Sequence, residues 1–168
     1  MAGAMMRALR HLFAGSARRL YPVDSLHRIA AAIAQGEATH RGQVCFAVES
    51  ALPLGAVLSG HDARRRAGEV FSRLRVWDTE ANNGVLLYLL LADHRIEIVA
   101  DRGVAGKVED DQWRAVCAAM EARLRDGDPE TAALEGVTAV SALLARHFPR
   151  APGDVRGNEL PDLPQILD

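Results

Sequence analysis

The feature that most limits how this chain can fold is a continuous apolar run at residues 85–91 (VLLYLLL). A strand formed by this run has no polar face, so it needs cover on both sides and belongs in the interior of a sheet. A short polar break at 92–95 separates it from a second, β-branched run at 96–99. Two such runs around a short break predict an antiparallel hairpin.

A second strand with two apolar faces is predicted at residues 44–48, ahead of a helical stripe within 63–75. The order strand, helix, strand from 44 to 91 is typical of a right-handed crossover between parallel strands. Further helical stripes lie at 26–33, 113–124 and 137–148. The sequence therefore predicts an α/β fold, a three-layer α/β/α sandwich with a small mixed β-sheet flanked by helices.

Composition indicates one domain between two less regular ends. At 168 residues, with 49% hydrophobic and 25% charged residues, the chain can bury a core. We expect a basic N-terminal segment at 1–23, the α/β/α domain at 24–149, and an extended, Pro/Gly-rich tail at 150–168. A net charge of −2 argues against nucleic acid as a partner. Cys45 and Cys117 fall on different apolar elements, so two free thiols are expected.

The N-terminal segment allows two interpretations. It carries four arginines and no acid before Asp24, and Met5, Leu9 and Leu12 fall at helical spacing. A basic amphipathic helix on an anionic membrane surface fits this pattern, and so does a helix packed on the domain. Arginine and histidine interrupt any export signal. We therefore expect a cytoplasmic protein, and under the first interpretation one that is peripheral at the inner membrane surface.

Oxygen-bearing side chains flank the predicted hairpin and form the candidate site. Antiparallel pairing brings the start of one strand beside the end of the other, so Asn82 and Asn83 approach Asp101. Asp78 and Glu80 lie in the preceding loop. Carboxylate and amide oxygens suit a hard cation, so these five residues are the predicted ligands of Ca²⁺ or Mg²⁺. The alternative is that the Asn-Asn-Gly segment is turn chemistry alone.

The opposite edge of the sheet would carry another pair of carboxylates, Glu49 and Asp93. No serine has a nucleophile-elbow context, and the six histidines lack metal-ligand spacing. The residues therefore give no support to a covalent hydrolase.

Several segments together resemble the TPM domain, the family of thylakoid lumen, photosystem II repair and acetylcholine-receptor modulator proteins. Residues 82–87 (NNGVLL) are similar to its Asn-Gly-Val-Leu strand start, and 96–104 (IEIVADRGV) to the segment that follows. Residues 42–49 resemble its first strand, 125–128 (RDGD) its acidic turn, and 158–162 (NELPD) the tail of a short bacterial branch without an export signal.

The resemblance implies an α/β/α sandwich and divalent-cation binding. It also implies phosphatase activity in some plant members and accessory or modulator roles at membranes in others. The expected function is thus a cytoplasmic, cation-binding accessory module linked to membrane or stress functions, with a membrane or membrane protein as partner. A metal-dependent phosphatase acting on phosphomonoesters is the alternative.

Overall fold

Seven helices and four strands form from residues 2–155 and 157–168, which the computed structural model describes. The helices are α1 (Ala2–Leu12), α2 (Ala17–Leu20), α3 (Val23–Glu37), α4 (Leu54–Leu58), α5 (Ala63–Arg73), α6 (Asp110–Arg125) and α7 (Pro129–His147). The strands are β1 (Gln43–Glu49), β2 (Gly84–Leu90), β3 (Arg95–Ala100) and β4 (Gln165–Leu167), with a 3₁₀ turn at Leu91–Asp93. No helix among these residues is long and apolar enough to cross a membrane.

The four strands form one mixed sheet in the order β3-β2-β1-β4. β1 and β2 run parallel, with Val44 opposite Val85 and Val48 opposite Leu89. β2 and β3 run antiparallel as a hairpin. All seven residues of β1 and all seven of β2 are buried. The predicted parallel crossover, the interior position of both strands and the hairpin are confirmed.

Alternate residues of the two central strands enter two separate cores. On one face, Phe46 and Leu87 pack with residues of α3, α6 and α7. On the other face, Ala47 and Tyr88 pack with residues of α4 and α5. Helices thus cover both faces, and the predicted α/β/α sandwich is confirmed. Cys45 and Cys117 are both free thiols.

The C-terminal residues add a fourth strand that the sequence pattern does not predict. β4 pairs in parallel with the second half of β1, with Ile166 opposite Val48. The tail reaches this position because the Gln43 side-chain oxygen accepts hydrogen bonds from the backbone N–H groups of Glu159 and Leu160. Leu160 and Leu167 are buried in the core on the α5 side. The tail therefore packs against the domain and completes the sheet.

A buried carboxyl group takes the place of a strand partner where β4 is too short to reach. Glu37, at the end of α3, accepts a 2.7 Å hydrogen bond from the backbone N–H of Val44. Burial raises the pKa of Glu37 to about 7, because the charged form loses its hydration, although the Val44 N–H opposes the shift. The fold therefore favours the protonated form of Glu37.

This arrangement predicts that Glu37→Gln alters how stability depends on pH. In the wild type, the unfolded carboxyl loses its proton near its ordinary pKa of 4.5, whereas the folded one keeps it to about pH 7. The free energy of unfolding should therefore fall as pH rises through this window. Glutamine keeps the acceptor for Val44 but does not ionise. Urea denaturation should find the two proteins similar near pH 4 and the variant more stable near pH 8, by on the order of 2 kcal/mol. Parallel pH profiles would contradict the assignment.

Candidate functional site

The start of β2 is held by a polar turn whose backbone is partly left-handed. Asn82 has a φ of 51°, a conformation that asparagine tolerates better than most residues. The next residue, Asn83, donates its backbone N–H to the Thr79 hydroxyl and its side-chain N–H to the carbonyl oxygen of Arg41. The Asn83 carbonyl oxygen accepts the Gln43 N–H. The asparagines thus fix where β2 begins beside β1.

Asp101 closes the other side of the same hairpin. Its backbone N–H donates to the carbonyl oxygen of Gly84, which extends the pairing of β2 and β3 by one residue. One oxygen of its side chain, Oδ1, accepts the N–H of Arg102 at 2.8 Å. The Arg102 guanidinium in turn donates to Oδ1 of Asn82 at 3.1 Å. The structure therefore brings Asn82, Asn83 and Asp101 to one edge of the sheet.

Two oxygen atoms at this edge are buried with no hydrogen-bond donor among the described residues. They are Oδ1 of Asn83 and Oδ2 of Asp101. Asn83 is only 3% exposed and Asp101 only 9%. Buried acceptors in folded proteins normally have a partner, and an unpaired carboxylate oxygen is the more costly of the two. Asp101 therefore needs a donor or a positive charge that the described side chains do not supply to Oδ2.

A glycine allows the two sides of the site to approach closely. A Cβ atom at Gly103 would lie 2.4 Å from the carbonyl oxygen of Asn82 and 2.6 Å from that of Ala81. The Gly103 N–H also donates to the Asn82 carbonyl at 2.8 Å. The backbone after Asp101 thus packs directly against the turn that precedes β2, and a side chain at 103 would separate them.

The two acidic residues of the preceding loop have other surroundings. Asp78 is half exposed and forms an ion pair with Arg75. Glu80 is exposed, and its backbone N–H donates to the Glu159 carboxylate. Among residues 2–155 and 157–168, no three His, Cys, Asp or Glu side chains are grouped so that they could hold a metal ion. The carboxylates of Asp78, Glu80 and Asp101 therefore do not form a three-carboxylate cluster.

Glu49, at the opposite edge, has its oxygens occupied by an arginine and a tyrosine. Arg66 donates to both of them at 2.9 and 2.8 Å, and the Tyr88 hydroxyl donates to Oε2. The hydrogen bond with Glu49 raises the pKa of Arg66 further above its usual range.

Asp93, at the same opposite edge, is enclosed by groups from α1. It accepts three hydrogen bonds from the Arg7 guanidinium, and Nε2 of His11 lies 3.1 Å from its Oδ1. Burial raises its pKa, but these partners outweigh that effect and hold the pKa below its usual range.

The sequence pattern predicts Glu49 and Asp93 as an acidic pair but does not indicate their basic partners, Arg66 and Arg7. Arg66 belongs to the triplet at 64–66, which sequence patterning assigns mostly to a solvated helix face. Within it, only Arg65 is without a sheet contact, since Arg64 donates to the Ile98 carbonyl at 2.6 Å. The available signal was the helical spacing, which cannot place three consecutive residues on one outer face.

Comparison with known proteins matches residues 23–143 to the family model described as the TPM domain. Among solved structures, the chain is similar to the NMR structure of the BA42 protein from the psychrophilic bacterium Bizionia argentinensis. The two share 26% sequence identity with a TM-score of 0.73, over 85% of this chain and 92% of that one. Comparison with curated proteins finds no match.

The close approach at Gly103 predicts that Gly103→Ala destabilises the fold. The added methyl group meets two backbone carbonyl oxygens that cannot rotate away, so the free energy of unfolding should fall by about 1–3 kcal/mol. Gly68→Ala is the matched control, because Gly68 lies in α5, is exposed, and has open space around a new Cβ. The control should gain about 0.5–1 kcal/mol through helix propensity. Urea denaturation of the three proteins would show both effects, and equal stability of Gly103→Ala and wild type would refute the close contact.

Proposed function

Because the chain belongs to the TPM domain family, we propose that it is an accessory module that binds Ca²⁺ or Mg²⁺ at the Asn82–Asp101 edge of its sheet. The observation that carries this proposal is the buried Oδ2 atom of Asp101, which has no donor among the described side chains. A carboxylate oxygen in that position gains from a cation more than an exposed one does, because water screens the charge less.

Neutral oxygens beside Asp101 supply the remaining ligands in this proposal. Oδ1 of Asn83 has no donor of its own. Oδ1 of Asn82 accepts from Arg102, so it becomes a ligand only when that exposed guanidinium moves away. Oxygen donors without sulfur or imidazole favour hard cations over zinc.

The charge balance implies weak binding. The site has a single buried carboxylate, that of Asp101, and the Arg102 guanidinium already brings a positive charge to its neighbour Asn82. The carboxylate of Asp78 is paired with Arg75. Sites of low ligand charge that are not built on a dedicated loop bind calcium with dissociation constants on the order of 10⁻⁴–10⁻³ M. Asp78 and Glu80, both exposed, would then attract the ion from a distance without being essential ligands.

The proposal predicts that Asp101→Asn removes most of the stabilisation that calcium gives. An ion at ten times its dissociation constant should stabilise the wild type by about 1.4 kcal/mol. Asparagine keeps the shape of the ligand but loses its charge. Thermal melts with and without millimolar CaCl₂ or MgCl₂ measure the shift, and Asp78→Asn is the control that should retain most of it.

If calcium raises the melting temperature of Asp101→Asn as much as that of wild type, the ion binds elsewhere. If neither ion changes the melting temperature of wild type, the module is not a cation binder, and Oδ2 of Asp101 has water as its partner. The same preparations, assayed with p-nitrophenyl phosphate, test the alternative of a metal-dependent phosphatase. Metal-dependent turnover that is lost in Asp101→Asn would replace the accessory function with an enzymatic one.

A further inference from the structure

Helix α1 packs on the domain with its apolar side facing outward. Five apolar side chains of residues 5–13 are between 45% and 79% exposed. At 100° per residue they fall on one arc of about 120°. They are Met5, Met6, Leu9, Leu12 and Phe13, and together they are called the α1 stripe. On the opposite side of the helix, His11 is buried. A surface helix normally buries its apolar side, so this orientation needs an explanation.

Polar contacts hold the helix in this orientation. Arg7 is bound to Asp93 through two guanidinium nitrogens, at distances of 2.8–3.2 Å. Nδ1 of His11 accepts the backbone N–H of Leu52 at 3.0 Å, while its Nε2 faces Asp93. These contacts come from the inner side of α1 and from residues far along the chain. The helix is therefore attached to the domain through its polar side, which leaves the α1 stripe without cover from the described residues.

An apolar cavity continues the exposed surface inward. Its volume is about 620 Å³, and Leu9 and Phe13 of the α1 stripe form part of its wall. Leu20, Leu91 and Leu124 line it from other elements. The α1 stripe is thus the outer part of a larger apolar surface. Hydrocarbon could contact both the exposed side of the helix and the cavity beside it.

Basic side chains lie along one side of this surface. Arg10 flanks the α1 stripe and is half exposed, and Arg18 and Arg19 follow on α2, where both are exposed. Residues 1–23 contain no acid. Of the nearby acids, the largely buried Asp93 lies 3.8 Å from Arg10, and Asp168 lies 3.4 Å from Arg18. The exposed Asp126 and Asp128 adjoin the far wall of the cavity, at Gly127 and Pro129. The side of the apolar surface formed by α1 and α2 therefore carries positive charge that faces water, above all at the exposed Arg19, which has no ion-pair partner among the described residues.

We propose that the α1 stripe and the arginines beside it form a docking surface for anionic phospholipid membranes. Apolar side chains flanked by arginine are the pattern that places a helix at the boundary between headgroups and acyl chains. A second copy of the chain fits less well, because a symmetric contact would bring Arg10, Arg18 and Arg19 of both copies together. The inference is independent of cation binding, since the surface lies at the other end of the strands from Asp101.

Sedimentation with vesicles tests this proposal on the whole 168-residue chain. At low salt, wild type should sediment with vesicles that contain phosphatidylglycerol and remain in solution with pure phosphatidylcholine. Added salt should weaken the binding, because it screens the arginines. Arg10→Gln with Arg19→Gln should lower the partition coefficient about tenfold or more.

Apolar variants separate the α1 stripe from a general effect of charge. Leu9→Ser with Phe13→Ser should also lower partitioning about tenfold or more, because two membrane-seeking side chains are lost while every arginine remains. Trp77→Ser is the matched control, because Trp77 is 48% exposed beside the start of β2, at the opposite edge of the sheet. It should bind as wild type does, and circular dichroism should find all these variants folded.

Three results would overturn the proposal. If wild type does not sediment with anionic vesicles at low salt, the α1 stripe is not a membrane-docking surface. Equal loss of binding in Trp77→Ser would show that the α1 stripe is not the contact. A dimer in sedimentation velocity that Leu9→Ser with Phe13→Ser converts to monomer, without vesicle binding by wild type, would assign the stripe to a second copy of the chain.

Discussion

The parallel pairing of β1 with β2 is the constraint on which the rest of the structure depends. Both strands are buried along their whole length, so each needs cover on two faces. Helices α3, α6 and α7 give one cover and α4 and α5 the other. Because both faces are filled with side chains, polar groups collect at the two ends of the strands. The Asn82–Asp101 site lies at one end, and the buried carboxylates of Glu49 and Asp93 lie at the other.

The sequence predicts most of this fold because the decisive pattern is local. An apolar run without alternation requires burial on both faces, whatever the rest of the chain does. β4 escapes prediction because it is three residues long and is fixed by Gln43, more than a hundred residues away. Gly36 has a packing role that the sequence pattern also does not predict. It lies inside α3, where a Cβ would come within 2.1 Å of the Ser141 hydroxyl, so its role is close packing of α3 on α7.

The difference between local patterns and contacts of residues far apart in the chain also explains which parts of the site are predictable. Asn82 and Asp101 meet because hairpin pairing requires it, and that pairing follows from two neighbouring runs of sequence. The partners of acidic residues are another matter. Asp78 pairs with a neighbour in sequence, Arg75, whereas Asp93 pairs with Arg7, which lies 86 residues earlier in the chain. A carboxylate with no basic residue near it in sequence can therefore still be paired in the folded chain, and so be unavailable to a cation. Only the fold shows that Asp93 is paired while Oδ2 of Asp101 is not.

The orientation of α1 shows how such an ion pair can outweigh hydrophobic patterning. Its apolar spacing leaves open whether Met5, Leu9 and Leu12 face the core or a membrane surface. Turning the helix inward would separate Arg7 from Asp93 and leave a largely buried carboxylate without its main partner, which is strongly destabilising. Apolar material that covers the exposed stripe would lower the cost of its contact with water. The orientation that the buried charge imposes on the folded domain is thus the one that makes an apolar surface available for binding.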